Sequence, residues 1–355
     1  MMASTNFQPD WAYPPGKTIS ELLDYRGWTQ SEFAENLDES LSKVANLISG
    51  QEEITSSLAR KLSLVFGSSE NFWISREEQY RNSLTHLENN IKWFRKFPIT
   101  HMQDHGLIPR KGSDAEKISA CLEYFGVPSV SDWNDAYEGS HRLAAYRKSP
   151  TFESDEAATI VWLRQGEVFA RKNLTESWDA QKFMAVLPKI RELTLVKSPR
   201  VFIPKLTELC ASCGVSVFVA PTPPKCRASG VSRFLSNKKA QIMLSVRYLS
   251  DDHFWFTFFH EAAHLLLHSE SPVFIEGLDV SPDQEEGEAN EFAAETLIPN
   301  EFREELRLLP IDYRSVIKFS RKVGISPGIV VGQMQYLGTC PRNRLNKLKV
   351  RYSWS

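Results

Sequence analysis

The stretch FWFTFFHEAAHLLLH, residues 254–268, constrains this chain more than any other. It has the apolar density of a buried helix, yet it carries His260, Glu261, His264 and His268. Burying ionisable groups is costly unless something pairs with them, so the surrounding fold has to supply partners. His260 to His264 reads HExxH. On a helix, residues four apart share one face, so both imidazoles can reach a single metal ion. Glu261 then stands beside that ion, where it can take a proton from water. Phe256, Phe259, Ala263, Leu266 and Leu267 are expected to form the face packed on the core.

A catalytic zinc site needs three protein ligands and an open position. His268 lies another turn on, about 6 Å beyond His264, and is not expected to share the ion. It is read, with His253, as a surface or supporting histidine. The third ligand is expected from the following segment, EEGEANEFAAETLIP, which offers Glu285, Glu286, Glu288, Glu291 and Glu295. Glu286 is the first choice. Asn290 stands one turn further, where its amide can orient a ligating histidine. Glu288, on another face, is the second choice, and Zn2+ is the expected cofactor.

With 355 residues the chain is too long for one ordinary core. A net charge of −2 gives no global reason to expect nucleic acid. No apolar run is long enough to span a bilayer, so no membrane is expected. The opening MMASTNFQPDWAYPPG has neither a basic nor an apolar signal region, and the five scattered cysteines suggest reduced thiols. The expected location is cytoplasmic. Cys210 and Cys213 form a CxxC with no second pair at zinc-finger spacing and are read as core. Cys226 is read as a small loop residue, with a switchable fourth zinc ligand as the alternative. No G-x-S-x-G, Walker or Rossmann motif is present.

The pattern divides the chain into 1–80, short helices; 81–195, further helices without a chemical motif; 196–310, a mixed α and β domain; and 311–355, a helical segment. In the first part TQSEFAENL opens with a Thr29/Glu32 capping box, and Gly27 and Gly50 close helices. In the third part VSVFVAP and KAQIMLSVRYL read as strands joined by PTPPKCRASGVSRFLSN, with a loop expected at 269–287. The expected fold class is multidomain and mostly α, with the resemblances that follow implying an α+β zincin-like domain and an N-terminal lambda-repressor-like helix-turn-helix bundle.

FWFTFFHEAAHLLLH followed by EGEANEFAAETLIP resembles the ImmA/IrrE family of zinc metallopeptidases. The resemblance implies His260, His264 and Glu286 as ligands in a gluzincin-type two-helix site, with Glu261 as general base. Ala263 departs from the glycine frequent in the family. It also implies that KAQIMLSVRYL borders the cleft, where a substrate could add to its edge by β-augmentation. The stretch TQSEFAENLDESLSKVANLISG resembles the Xre/HigA-type antitoxin and repressor domain. There the helix matching Ser40 to Ile48 lies in the DNA major groove, with Ser42, Lys43 and Asn46 as contacts. The combination resembles HigA-type regulators carrying a metallopeptidase domain.

Charge opposes a simple transfer of DNA binding. Residues 1–80 hold six Lys and Arg against twelve Asp and Glu, a local charge of −6. Phosphate neutralisation supplies most non-specific DNA affinity. Asp38 and Glu39 could serve only as cap and dipole partners of the following helix. The expected protein is a homodimeric regulator whose peptidase cuts a regulatory partner, with an operator possible but disfavoured. The alternative is a DNA- or toxin-binding antitoxin whose metal site is structural.

Overall fold

A computed structural model describes residues 13–138, 155–247, 250–268, 273–275 and 283–352. These group into two compact units, one drawn from Met1–Lys96 with Ile108–Tyr124, the other from Phe97–Leu107 with Phe125–Ser355.

The first unit begins with α1 (Pro15–Arg26), α2 (Gln30–Leu37), α3 (Leu41–Ser49), α4 (Ser56–Phe66) and α5 (Glu70–Phe94). The capping box forms: Glu32 N donates to Thr29 Oγ1 at 3.2 Å, and Thr29 N donates to the Glu32 carboxylate at 2.7 Å. Gly27 and Gly50 close α1 and α3 with φ of 68° and 77°, a conformation that disfavours any side chain. The apolar faces of the helices bury Ile19, Phe33, Leu37, Val44, Leu47, Leu62 and Trp73 in one cluster. Arg26 donates to the carbonyls of Val65 and Phe66, which the end of α4 leaves without helical partners. The cap of α3 is neither Asp38 nor Glu39. Ser40 accepts from Lys43 N at 3.2 Å, because its short hydroxyl sits where the first free N–H groups point. Asp38 instead closes α2 at φ 53°, and Glu39 pairs with Lys61 and Lys43. The boundary expected at 80/81 falls inside α5, which runs unbroken for 25 residues.

The chain continues through α6 (Ile99–Asp104), α7 (Asp114–Phe125), α8 (Val130–Trp133), α9 (Glu156–Lys172), α10 (Ala180–Glu192) and α11 (Pro199–Ala211). A four-stranded sheet follows from β1 (Val215–Ala220), β2 (Gly230–Ser236), β3 (Lys239–Ser245) and β4 (Val273–Ile275), in the order β1-β3-β2-β4. β3 runs parallel to β1 and antiparallel to β2. Two expectations change here. The connecting stretch contains β2, whose pattern is broken by Ser232 and Arg233. And KAQIMLSVRYL offers no free edge, because β3 has a neighbour on each side. Its Tyr248 and Leu249 lie outside the described residues. The near-continuous apolar run of β3 suits a strand covered on both faces.

Ala240, Ile242 and Leu244 face the main core, while Met243 packs with Ala158, Trp162 and Val231 on the α9 side. Gln241 and Arg233, both buried on that side, satisfy each other. Gln241 Nε2 donates to Gly166 O at 2.6 Å, and Gln241 Oε1 accepts from Arg233 at 2.8 Å and 3.0 Å.

Beyond the sheet lie α12 (Asp251–Leu267), α13 (Asp283–Leu297), α14 (Arg303–Arg307), α15 (Tyr313–Val323) and α16 (Pro327–Tyr336). Much of the loop expected at 269–287 lies outside the described residues, but it contains β4 and the first turn of α13. One core cluster contains Phe183 and Ile190 of α10, the sheet, α12, and Val316, Phe319 and Val330 near the end of the chain. The boundaries expected at 195/196 and 310/311 both run through it. The described residues contain no helix long and apolar enough to cross a membrane.

Candidate metal centre

Thirteen of the seventeen residues of α12 are buried. Its core contact therefore extends well beyond the stripe expected from the sequence. Trp255, Phe258 and Phe259 are fully covered, each contributing about 2 kcal/mol of apolar burial. Leu267, expected on the core face, is instead 47% exposed, since it stands at the helix end.

Small residues set the spacing between α12 and α13. Ala262, Ala263, Ala289 and Ala293 are all fully buried, so the two backbones can approach closely. That approach brings the first turn of α13 to the two histidines. Ligand atoms of His260, His264 and Glu286 all lie within 4.8 Å of one another. His260 Nε2 is 3.0 Å from His264 Nε2 and 3.3 Å from Glu286 Oε2, and His264 Nε2 is 3.5 Å from Glu286 Oε1. Three donors about 2.0–2.1 Å from a tetrahedral ion stand roughly 3.3 Å apart, so the triangle fits zinc. The donor set, two imidazoles and a carboxylate, fits too. Burial, and then the neighbouring His260, hold the His264 imidazole well below its ordinary pKa, which keeps it neutral as a ligand must be.

The surrounding groups orient these donors. Asn290 Oδ1 lies 3.1 Å from His260 Nδ1. Glu288, the second choice for the ligand, is engaged elsewhere: its Oε2 is 3.0 Å from His268 Nε2. The hydrogen bond from His268, and a second from Gln284, hold the Glu288 carboxyl below the usual carboxylate range. His268 Nδ1 in turn lies 3.1 Å from His264 Nδ1. His253 is exposed. Glu261 is fully buried and leans on β2, where a Cβ on Gly230 would lie 2.5 Å from Glu261 Oε1.

The remaining candidates fall elsewhere. Cys226 is buried among Ala158, Trp162 and Val231, with Thr159 Oγ1 3.8 Å from its Sγ, and burial raises its thiol pKa. It is not part of the ligand cluster. Cys210 and Cys213 are core residues. In the first unit Ser42 and Asn46 are exposed on α3. Lys43 is held between Glu39 at 3.1 Å and Glu52 at 3.9 Å. Sequence reasoning missed Gly230 beneath Glu261 and the His268–Glu288 pair, although His268 stands at i+4 from His264.

Comparison with known proteins matches residues 211–332 to the family described as Peptidase M78, the IrrE N-terminal-like domain. The N-terminal region is 32% identical over 77 residues to a protein of Escherichia coli (strain K12) described as the uncharacterized HTH-type transcriptional regulator YddM, covering 22% of this chain and 80% of that protein. The chain belongs to the HTH-type regulators fused to an ImmA/IrrE-type peptidase domain. Among solved structures, the chain is 23% identical to a protein described as a putative antidote protein of a plasmid maintenance system from Nostoc punctiforme, over 23% of this chain and 91% of that one, with a TM-score of 0.23. An addiction module antidote of the HigA family from Coxiella burnetii is also 23% identical, over 24% and 92% of the two chains, with a TM-score of 0.22. The IrrE-like match runs from just before β1 into α16 and so includes both helices of the candidate metal centre.

Proposed function

We propose that this regulator is a zinc-dependent endopeptidase acting on a regulatory protein partner, with His260, His264 and Glu286 holding the metal. The observation that carries the reading is the convergence of those three donors with Glu261 next in sequence on the same buried helix. When bound, zinc supplies Lewis acidity that polarises a peptide carbonyl and acidifies water. Glu261 takes the proton of the attacking water and returns it to the leaving amine. Asn290 keeps the His260 ring in register. A cavity of about 260 Å³ lined by Gly287, Asn290, Glu291, Arg303 and Tyr336 adjoins α13 and offers room for a substrate side chain.

For the N-terminal unit we favour recognition of a protein over recognition of an operator. Each of the six cations of residues 1–80 has an intramolecular contact, the weakest being that of the exposed Arg60. Lys17 stacks on Tyr13, Arg26 caps α4, Lys43 and Lys61 pair with Glu39, Arg60 lies 4.0 Å from Glu70, and Arg76 donates to Thr18.

The test is a trapping experiment. Glu261→Gln should retain one zinc per chain and hold the partner that the wild-type protein cleaves, with cleavage abolished by a chelator. Loss of zinc in Glu261→Gln, or unchanged cleavage by it, would sink the role given to Glu261. Stoichiometric zinc with no cleavage of any trapped partner would leave a structural metal in a partner-binding antitoxin.

A further inference from the structure

We propose that His268 and Glu288 form a hydrogen-bonded relay that fixes the tautomer and orientation of His264, making both of them positioning residues for the metal. The inference rests on the zinc reading above, and it accounts for two side chains that reading leaves unused.

With a metal on His264 Nε2, the contacts admit one consistent assignment of protons. With Nε2 of His264 turned to the ion, its remaining proton sits on Nδ1. That nitrogen is 3.1 Å from His268 Nδ1, which must then accept. A His268 ring that accepts at Nδ1 carries its proton on Nε2, and Nε2 is 3.0 Å from Glu288 Oε2. Each donor in the line therefore meets an acceptor and the line ends on a carboxylate. Such outer partners raise the basicity of a ligating imidazole and lock its ring. Gln284 Nε2 donates to the other carboxylate oxygen at 2.9 Å, which steadies Glu288 one turn along α13.

The placement coincides with the end of α12. His268 has left helical geometry, with φ −122° and ψ 37°, while its backbone N still donates to His264 O at 3.0 Å. Its side chain is thus aimed back at His264, and it is only 9% exposed. The two ligating histidines are served by different devices on one helix: Asn290 for His260, and Glu288 through His268 for His264.

The test measures zinc affinity of the full-length protein by competition with a chromophoric chelator, with nitrogen NMR of the imidazoles in the zinc-loaded state. The wild type should bind one zinc, lost in His260→Ala, with the His264 proton on Nδ1 and the His268 proton on Nε2. His268→Phe, which keeps a ring and removes both nitrogens, should weaken zinc binding by about 10- to 100-fold. His268→Gln, which can accept from His264 and donate to Glu288, should recover most of that loss. Glu288→Ala removes a side chain that is nearly half exposed. It should weaken binding by about 10-fold, and it decides the matter alone if His268→Phe does not fold. Wild-type affinity in Glu288→Ala and His268→Phe, the opposite tautomer at His264, or no recovery in His268→Gln would overturn the relay while leaving the metal site intact. Absence of zinc from the wild type would remove the metal reading itself, and the relay with it.

Discussion

Gly230 and Glu261 meet where β2 crosses α12: a Cβ on Gly230 would come within 2.5 Å of Glu261 Oε1 and 2.7 Å of Thr257 Cγ2. The strand can lie against the carboxylate only because that position has no side chain. Gly230→Ala should push Glu261 aside and leave the three ligands in place. A misplacement of about 1 Å at a reacting group can cost roughly 10²-fold in rate. The expected outcome is cleavage of the trapped partner slowed by about that factor with zinc content unchanged, checked by turnover and metal analysis. Equal loss of zinc and activity would mean that the strand had moved instead.

Asp251 ties the start of α12 to the end of the chain. Its carboxylate accepts from Val350 N and Asp252 N, each at 3.0 Å, and from the Ser326 hydroxyl. Burial pushes its pKa up to about 6 from 3.8. Folding thus favours the protonated form, and the folded state holds the extra proton between those two values. Stability contributed by this group is present below about pH 4 and is lost as pH rises to about 6, by about 3 kcal/mol in all. Asp251→Asn should remove that slope. The check is the difference between wild-type and variant unfolding free energies at pH 4 and pH 7, and an unchanged difference would refute it.

Asp252, next along, depends on a cation. Lys349 Nζ lies 2.6 Å from Asp252 Oδ2, with the two side chains only 14% and 8% exposed. Lys349→Met leaves a buried carboxylate without its partner and should cost about 3–5 kcal/mol in urea unfolding. Adding Asp252→Asn should restore part of this loss, since the uncompensated charge is the larger share. Strictly additive effects in the double variant would argue against the pair.

The grouping of the candidate ligands on two helices was legible because its residue types repeat at helical spacing. His260 and His264 lie four apart, and so do Glu286 and Asn290. The Thr29/Glu32 box was legible for the same reason, being set by residues three apart. What depended on distant chain was not. β2 is the clearest case: Ser232 and Arg233 break its apolar pattern, and Arg233 is at home there only because Gln241, Glu167 and the Leu163 carbonyl receive it. Strand order was equally hidden, since nothing local to β3 says that β2 returns to pair with it. The core shared by α10 and α15 joins segments whose local patterns carry no trace of each other. His268 was read as off the ion and as a surface or supporting residue; its contacts with His264 and Glu288 stayed hidden because they depend on a side chain turning back after the helix ends.

The charge argument about the first unit yields a test of its own. Salt-dependent DNA affinity scales with the number of phosphates neutralised, with a slope of about −0.9 per contact. Lys43, the one cation on α3, faces Glu39 and Glu52 rather than solvent alone. Hydrogen bonding to Lys61, and then to Lys43, holds Glu39 below the usual carboxylate range despite some burial, so the acid remains charged at neutral pH. The protein should accordingly show no competitor-resistant complex with the DNA upstream of its own gene, measured by fluorescence anisotropy across a salt series. Glu39→Gln with Glu52→Gln frees Lys43 and Lys61 and lowers the local charge of −6 to −4. That variant should bind DNA more tightly at low salt and with a steeper salt slope. Specific, salt-sensitive binding by the wild type would reverse the reading: the helix-turn-helix would then be an operator-binding module, and the peptidase question would become what relieves repression.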